Sequence, residues 1–235
     1  MPEAPSSIQP PRPDQPKVLL FDVNETLLDM SKLKKAVVSA FYDKSAFRQW
    51  FGLLLQYSLI ATVTERYHEF GVIGNAALDM TAAKLETKPL KGAKKEEILS
   101  LMTQLPAHAD VEKGLGILRK AGYSLVAFTN STKATLDQQL RHAGIISYFD
   151  EGLSVDSLRR YKPHLSTYQQ AARHLGIAPA QACLIAAHGW DIAGAQAAGL
   201  ATGFIARPGQ ELYPLAAPPT YQGKTLVKVA RQLIF

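Results

Sequence analysis

Apolar residues in this chain follow two patterns. Val18, Leu19, Leu20 and Phe21 form a short continuous apolar run led by a lysine, which predicts a strand buried on both faces of a parallel sheet. From residue 31 to 103 there is no strand alternation. Apolar positions there keep helical spacing, as in "FRQWFGLLLQYSLIATVTERYHEF", with expected interruptions at Gly71-Val72-Ile73-Gly74 and at Lys88-Pro89. From residue 104 onward helix and strand patterns alternate, with strands expected at Leu125–Thr129, at "GLSV" (152–155), at "CLIAA" (183–187) and at "TGFIA" (202–206). Alternation of this kind predicts an α/β fold, a Rossmann-like doubly wound parallel sheet with right-handed crossovers. The helical stretch then reads as an insert after the first strand. The expected organisation is a disordered leader over 1–16, an α/β core over 17–30 and 104–235, and a helical insert over 31–103.

Composition narrows this picture. The 235 residues are 47% apolar and 20% charged, enough for one sizeable core and a smaller insert. "MPEAPSSIQPPRPDQP" is proline-rich and has no apolar signal core, hence the expectation of a disordered leader. No apolar run approaches the ~20 residues of a membrane span. The lone Cys183 cannot form an internal disulfide and reads as a buried core residue, so a cytoplasmic, reducing setting is expected. The net charge of +6 admits a small anionic substrate. Its densest cluster, Lys84, Lys88, Lys91, Lys94 and Lys95, has no interleaved aromatics and reads as a solvated face rather than a nucleic-acid site. Neither nucleic acid nor membrane is expected as a partner, and a homodimer is left open.

Polar residues collect where the predicted strands end. Asp22 and Thr26 follow the first strand, Thr129, Asn130 and Ser131 the second, and His188 and Asp191 the run "CLIAA", while Lys162 precedes Pro163. In open α/β sheets that edge is where ligands bind. A carboxylate there can attack carbon or phosphorus, hydroxyl and amide groups can hold an anion, an ammonium can keep the nucleophile ionised, and a second carboxylate can position water. Each residue also has a plain structural role open to it. Thr26 could cap a helix beginning "LLDM", Asn130 or Ser131 could cap "TKATLDQQLRHAG", and His188 could be a loop histidine.

Taken together and in order, these segments resemble the haloacid dehalogenase superfamily. "DVNET" matches its nucleophile motif at Asp22 to Thr26, "FTNS" its second motif, "YKPHLSTY" its lysine motif and "AAHGWD" its acidic loop, over about residues 17–210. Within the superfamily the likeness is closest to the (S)-2-haloacid dehalogenases. Its phosphatases usually carry a second aspartate two residues after the nucleophile as general acid; here that position is Asn24. They also usually carry an acid four residues before the last motif aspartate to help hold magnesium; here it is Ala187. A departing halide needs neither proton nor metal, so the resemblance implies carbon–halogen cleavage without a cofactor.

The resemblance implies roles as well as a reaction. Asp22 would be the nucleophile, Lys162 its counter-ion, Asp191 and His188 the positioners of water, and Thr26, Thr129 and Asn130 holders of nucleophile and substrate carboxylate. Tyr168 and Trp190 match aromatics of the dehalogenase motifs and would contact substrate or halide, although packing between core and cap is equally open to them. Those enzymes hold the departing halide with a cap arginine shortly before a "YS" dipeptide. Alignment on "LLLQYS" puts Phe51 at that place, with Arg48 the nearest replacement. The expected activity is hydrolytic dehalogenation of small 2-haloacids to 2-hydroxyacids through an ester on Asp22. Two readings from other classes stay open, a Mg²⁺-dependent phosphatase of a small phosphometabolite and a catalytically silent binding module.

Overall fold

The structure is a computed structural model that describes residues 16–235. The expected leader, apart from Pro16, lies outside the described residues. Strand β1 (Val18–Phe21) is buried along its whole length, as its unbroken apolar run requires. Four helices follow it without an intervening strand: α1 (Ser31–Phe41), α2 (Ala46–Val63), α3 (Phe70–Lys84) and α4 (Gly92–Ser100). The chain then returns through α5 (Val111–Lys120) to β2 (Ser124–Thr129), α6 (Lys133–His142) and β3 (Glu151–Ser154). It continues through α7 (Leu165–His174), β4 (Ala182–Ala186), α8 (Gly189–Ala197) and β5 (Ala201–Ile205), and ends with β6 (Tyr221–Gly223) and α9 (Leu226–Ile234).

Among the described residues, six parallel strands form one sheet in the order β3-β2-β1-β4-β5-β6. The chain winds outward from β1 to β2 and β3 on one side, then crosses to β4 and proceeds the other way. The winding therefore reverses between β1 and β4, and the crevice beyond their carboxyl ends is where such a sheet leaves room for a ligand. Asp22 extends this edge: its backbone N–H donates to Ile185 O at 3.0 Å.

The helices between β1 and β2 pack through an apolar face that is continuous with the core around the sheet. Phe47, Trp50, Phe51 and Leu54 repeat at i, i+3, i+4 and i+7 along one face of α2 and are buried. The Phe47 and Phe51 rings stack 5.9 Å apart and 5° from parallel. One expectation fails here. Gly71-Val72-Ile73-Gly74 was expected to interrupt a helix running to Phe70, but the break falls earlier, at Thr64–Glu69, and both glycines lie inside α3. The reason is the close approach of α2 and α3, where the buried Trp50 indole N–H donates to Gly74 O at 2.9 Å. Burial of that face outweighs the helix-weakening tendency of glycine, which is about 1 kcal/mol per residue.

Other local expectations are met or corrected in the same physical terms. The four anticipated strands occur within a residue of their expected positions. No helix begins at "LLDM"; α1 starts at Ser31. The cap of α6 is Thr132, whose side chain accepts from the Thr135 N–H, rather than Asn130 or Ser131. Lys95 pairs with Asp79 at 2.9 Å and Lys94 with Glu97 at 2.8 Å, so part of the lysine cluster is neutralised on the α3–α4 surface. Cys183 is fully buried, and burial pushes its thiol up. No helix among the described residues is long and apolar enough to cross a membrane.

Gly114 shows how closely α5 and α9 meet under the sheet. A Cβ at this position would lie 2.4 Å from Leu226 Cγ and 3.0 Å from Leu226 Cβ, near the root of a side chain that cannot simply swing away. We expect Gly114→Ala to destabilise the protein by about 1–3 kcal/mol through overpacking. A thermal melt should show a Tm several degrees lower, whereas a gain in helix propensity alone would raise it.

Candidate active site

The site is built where β1 and β4 end. Asp22 follows β1 directly and is buried, with 5% of its surface exposed. A short turn brings Thr26 back so that its hydroxyl donates to Asp22 Oδ2 at 2.7 Å while accepting from the Ala187 N–H at 2.8 Å. That one hydroxyl fixes the carboxylate relative to the loop after β4. The other oxygen, Oδ1, accepts from Lys162 Nζ at 2.8 Å.

Lys162 is fully withdrawn from solvent and shared by two carboxylates. Its ammonium donates to Asp22 Oδ1, to Asp191 Oδ2 at 2.7 Å and to Phe128 O at 3.1 Å, which uses all three of its protons. Asp191 lies in the first turn of α8, where the helix dipole favours a carboxylate. Its second oxygen accepts from the Tyr168 hydroxyl at 2.5 Å. Burial would raise the Asp22 carboxyl, but the charges and hydrogen bonds of Lys162 and His188 outweigh it and hold Asp22 well below the usual range. Burial also raises Asp191; Lys162 pulls against it, the charge of Asp22 adds to it, and the net direction is upward.

His188 gives Asp22 a second cationic neighbour. Its Nδ1 lies 2.9 Å from Asp22 Oδ2 and its Nε2 2.9 Å from Glu25 Oε2. The Trp190 ring covers it at 5.1 Å and 22°, and Phe51 approaches from α2 at 6.3 Å. Burial disfavours a charged ring, but the hydrogen bonds and charges of Asp22 and Glu25 raise its pKa to about 10. Gly189 makes this turn possible: a Cβ there would lie 2.4 Å from Glu211 O.

The remaining expected residues fall into three groups. Tyr168 and Asn130 support charged groups: Tyr168 is fully buried on Asp191, and Asn130 Oδ1 accepts from the Lys162 backbone N–H at 3.0 Å. Thr129 Oγ1 accepts from the Ser131 N–H at 3.1 Å, and the buried Ser131 hydroxyl has no hydrogen-bond partner among the described residues. Arg48 is exposed on α2 and lines a cavity of about 370 Å³ whose wall includes Glu25, Lys34, His108 and Arg207 but not Asp22. Asn24 Oδ1 accepts from Gln139 Nε2 on α6 at 3.0 Å. Glu25 was missed by sequence reasoning. Its only signal was an acid inside "DVNET", and nothing local shows that the turn brings it to His188, 163 residues on.

These donors do not fit a magnesium ion. Asp22 accepts from Lys162 on one oxygen and from Thr26 and His188 on the other; Asp191 accepts from Lys162 and Tyr168, and position 187 is an alanine. An ammonium and an imidazolium thus occupy the places where a hard cation would need free carboxylate oxygens. Among the described residues, no cluster of three or more His, Cys, Asp or Glu side chains could hold a metal.

Comparison with known proteins gives the same architecture a family. The model of haloacid dehalogenase-like hydrolases matches residues 16–199. This chain belongs to that family. It is 29% identical over 229 residues to (S)-2-haloacid dehalogenase 1 of Pseudomonas sp. (strain CBS-3), covering 94% of this chain and 98% of the relative. It is 28% identical to (S)-2-haloacid dehalogenase 4A of Burkholderia cepacia, over 89% of this chain and 88% of that one. A solved L-2-haloacid dehalogenase of Xanthobacter autotrophicus, with chloropropionic acid covalently bound, superposes with a TM-score of 0.85 at 22% identity, over 93% of this chain and 98% of that one. The fold of this family member is thus shared with that dehalogenase over nearly its whole length.

The two opposed shifts set a pH window for stability. Asp22 is lowered from 3.8, so its contribution is complete above that value and is lost as pH falls through its folded value. His188 is raised from 6.5 to about 10, so its contribution is complete below 6.5 and disappears as pH rises toward 10. We expect urea midpoints of the wild type to fall between pH 7 and pH 10, and His188→Gln to flatten that alkaline limb.

Proposed function

We propose that this protein hydrolyses small 2-haloacids to 2-hydroxyacids through an ester on Asp22. The observation that carries the reading is a buried carboxylate held ionised by two cations, with an amide rather than an acid at position 24, two residues after it. Asn24 accepts a bond from Gln139 on α6, so the leaving group should be one that departs as an anion without protonation, as halide does. The names of the relatives, (S)-2-haloacid dehalogenases, point the same way.

In the first half of the reaction an Asp22 carboxylate oxygen attacks C2 and the carbon–halogen bond breaks, the halide leaving with its electron pair. Lys162 holds the carboxylate ionised and aimed, and Thr26 fixes its other oxygen. In the second half, water held by Asp191 and His188 attacks Cγ of the ester, and the bond from Cγ to the substrate oxygen breaks. Asp22 is restored and the 2-hydroxyacid is released. The net change is consumption of one water and release of one halide and one proton.

Substrate recognition follows from the surrounding groups. The free Ser131 hydroxyl, the Asn130 amide N–H₂ and Thr129 are donors for the substrate carboxylate. Phe51 and Trp190 supply an apolar wall beside the reacting carbon, and Arg48 attracts the anion from the neighbouring cavity. Residues 31–103 act as a cap that excludes bulk water from the ester. No metal or organic cofactor takes part.

Three results are expected. Asp22→Asn should lower halide release by several orders of magnitude while leaving the circular dichroism spectrum unchanged. In a single turnover with excess enzyme in H₂¹⁸O, the first hydroxyacid should be unlabelled and the Asp22 peptide should gain ¹⁸O. Labelled hydroxyacid in that turnover would mean direct attack by water. Halide release should persist in saturating chelator; restoration of a chelator-dead enzyme by Mg²⁺ would favour the phosphatase reading instead.

A further inference from the structure

Glu25 occupies a backbone conformation that glutamate rarely takes. Its φ is +58°, in the left-handed region that glycine enters freely and a residue with a Cβ does not. The other non-glycine residues with positive φ, Tyr42, Glu65, Glu86 and Arg159, follow the ends of helices or of a 3-10 turn, where this conformation is common. Glu25 instead lies in the turn between nucleophile and Thr26, far from any helix end. Its carboxylate is tied down on two sides, with Oε2 2.9 Å from His188 Nε2 and 3.1 Å from Gln210 Nε2. A strained residue held this firmly beside a reacting group points to a task.

The geometry around His188 identifies the task. Its two nitrogens face two carboxylates, and a carboxylate offers only acceptors, so both nitrogens must carry protons to satisfy them. The negative charge facing the ring comes from Asp22 and Glu25, both from the turn after β1. Asp191, on α8 itself, is neutralised by Lys162, which also binds Asp22. Phe51 from α2 and Trp190 are uncharged, and the neutral Gln210 side chain donates to Glu25. Beyond Glu25, the neighbouring cavity carries Asp29 beside Lys34, Arg48, His108 and Arg207, and Arg207 is paired with Asp110 at 2.6 Å, so that cavity supplies the ring with no third carboxylate partner. The position of His188 at the N-terminus of α8, where the helix dipole is positive, disfavours a cationic ring. The imidazolium therefore depends on both carboxylates being charged.

We propose that Glu25 is a positioning residue and that the charge on Asp22 switches His188 between resting imidazolium and active base. The chemistry rests on the dehalogenase reading; the switch itself does not. When Asp22 becomes an ester its charge is gone, and His188 keeps one carboxylate instead of two. The ring then gives its Nδ1 proton to solvent, which accounts for the one proton released per turnover. Glu25 still accepts from Nε2–H, so the freed Nδ1 lone pair stays aimed at the ester. As water attacks Cγ, one of its protons passes to Nδ1. The remaining hydroxyl proton of the tetrahedral intermediate goes to the departing alkoxide as the Cγ–O bond breaks. Products are the 2-hydroxyacid, an Asp22 carboxylate and a His188 imidazolium, which is the resting state, so the cycle closes without a further proton transfer.

The switch is tested without any substrate, by ¹³C NMR titration of the full-length histidine-labelled protein, with the His188 signal assigned by its loss in His188→Gln. In the wild type the ring should stay protonated beyond pH 8. In Asp22→Asn, a neutral mimic of the ester, its midpoint should fall by about two pH units or more, a hundredfold loss of proton affinity; Asp22→Ala is the second variant should the first misfold. An unchanged midpoint in both variants, or a wild-type ring titrating at about 6.5, would overturn the proposal whatever the substrate is. Glu25→Gln separates charge from hydrogen bonding, since its amide oxygen can still accept from Nε2–H. With 2-chloropropionate it should slow ester hydrolysis ~10-fold or more, while ester formation changes little, so that the alkylated Asp22 peptide accumulates in the mass spectrum. Wild-type behaviour of Glu25→Gln in both titration and turnover would reduce Glu25 to a structural hydrogen bond and refute its assigned role.

Discussion

A single ammonium shared by two buried carboxylates is the constraint on which the rest of the site depends. Asp22 and Asp191 come from different strand ends, and without Lys162 between them two like charges would face each other out of water. Breaking a buried pair by removing one partner leaves an uncompensated charge and typically costs about 3–5 kcal/mol. Lys162 also lies 5.1 Å from the centre of the Phe128 ring, so even its apolar surroundings carry a partial negative face. The alignment of β1, β4 and the turn before α7 is thereby tied to one nitrogen atom. Asn130 and Tyr168, which touch the backbone of Lys162 and the carboxylate of Asp191, extend that constraint outward by one layer.

For the proposed attack by Asp22, such a setting is a compromise. Each positive neighbour lowers the energy of the ionised carboxylate and so guarantees that it is available at neutral pH. Each also draws on the electron pair that must attack. Asp22 has two such neighbours on different oxygens, Lys162 on Oδ1 and His188 on Oδ2, with Thr26 sharing the second. Proximity then has to compensate for damped intrinsic reactivity, which is what a rigid buried pocket with an ordered substrate supplies.

Much of this was legible in the sequence, and the limits have identifiable causes. β1, β2, β4 and β5 could be read because parallel strands buried on both faces are unbroken apolar runs, and their polar neighbours mark the edge where ligands gather. Lys162 and Asp191 could be assigned to one site because the order of motifs matches a known arrangement. β6 was not anticipated: it is three residues, Tyr-Gln-Gly, on the edge of the sheet and without a fully buried position, too short for its alternation to be read. The break between α2 and α3 was misplaced because glycine lowers helix propensity locally, whereas the packing of Trp50 against Gly74 is decided between helices. Glu25 escaped for a related reason. Its importance lies in a turn of backbone and a partner distant in sequence, and neither leaves a periodic trace.

The hydrogen bond from Gln139 to Asn24 carries a consequence for what position 24 of this chain could be changed to do. Gln139 lies on α6, is buried, and also donates to Met102 O at 2.8 Å, so its amide N–H₂ is fixed as a donor toward position 24. An aspartate placed there would meet that donor as an acceptor, and such a bond favours the ionised form. The new carboxylate would therefore sit deprotonated when a leaving alkoxide needed its proton. An acid able to protonate a leaving oxygen from position 24 would thus need a second change, on α6, as well as the one in the turn after β1.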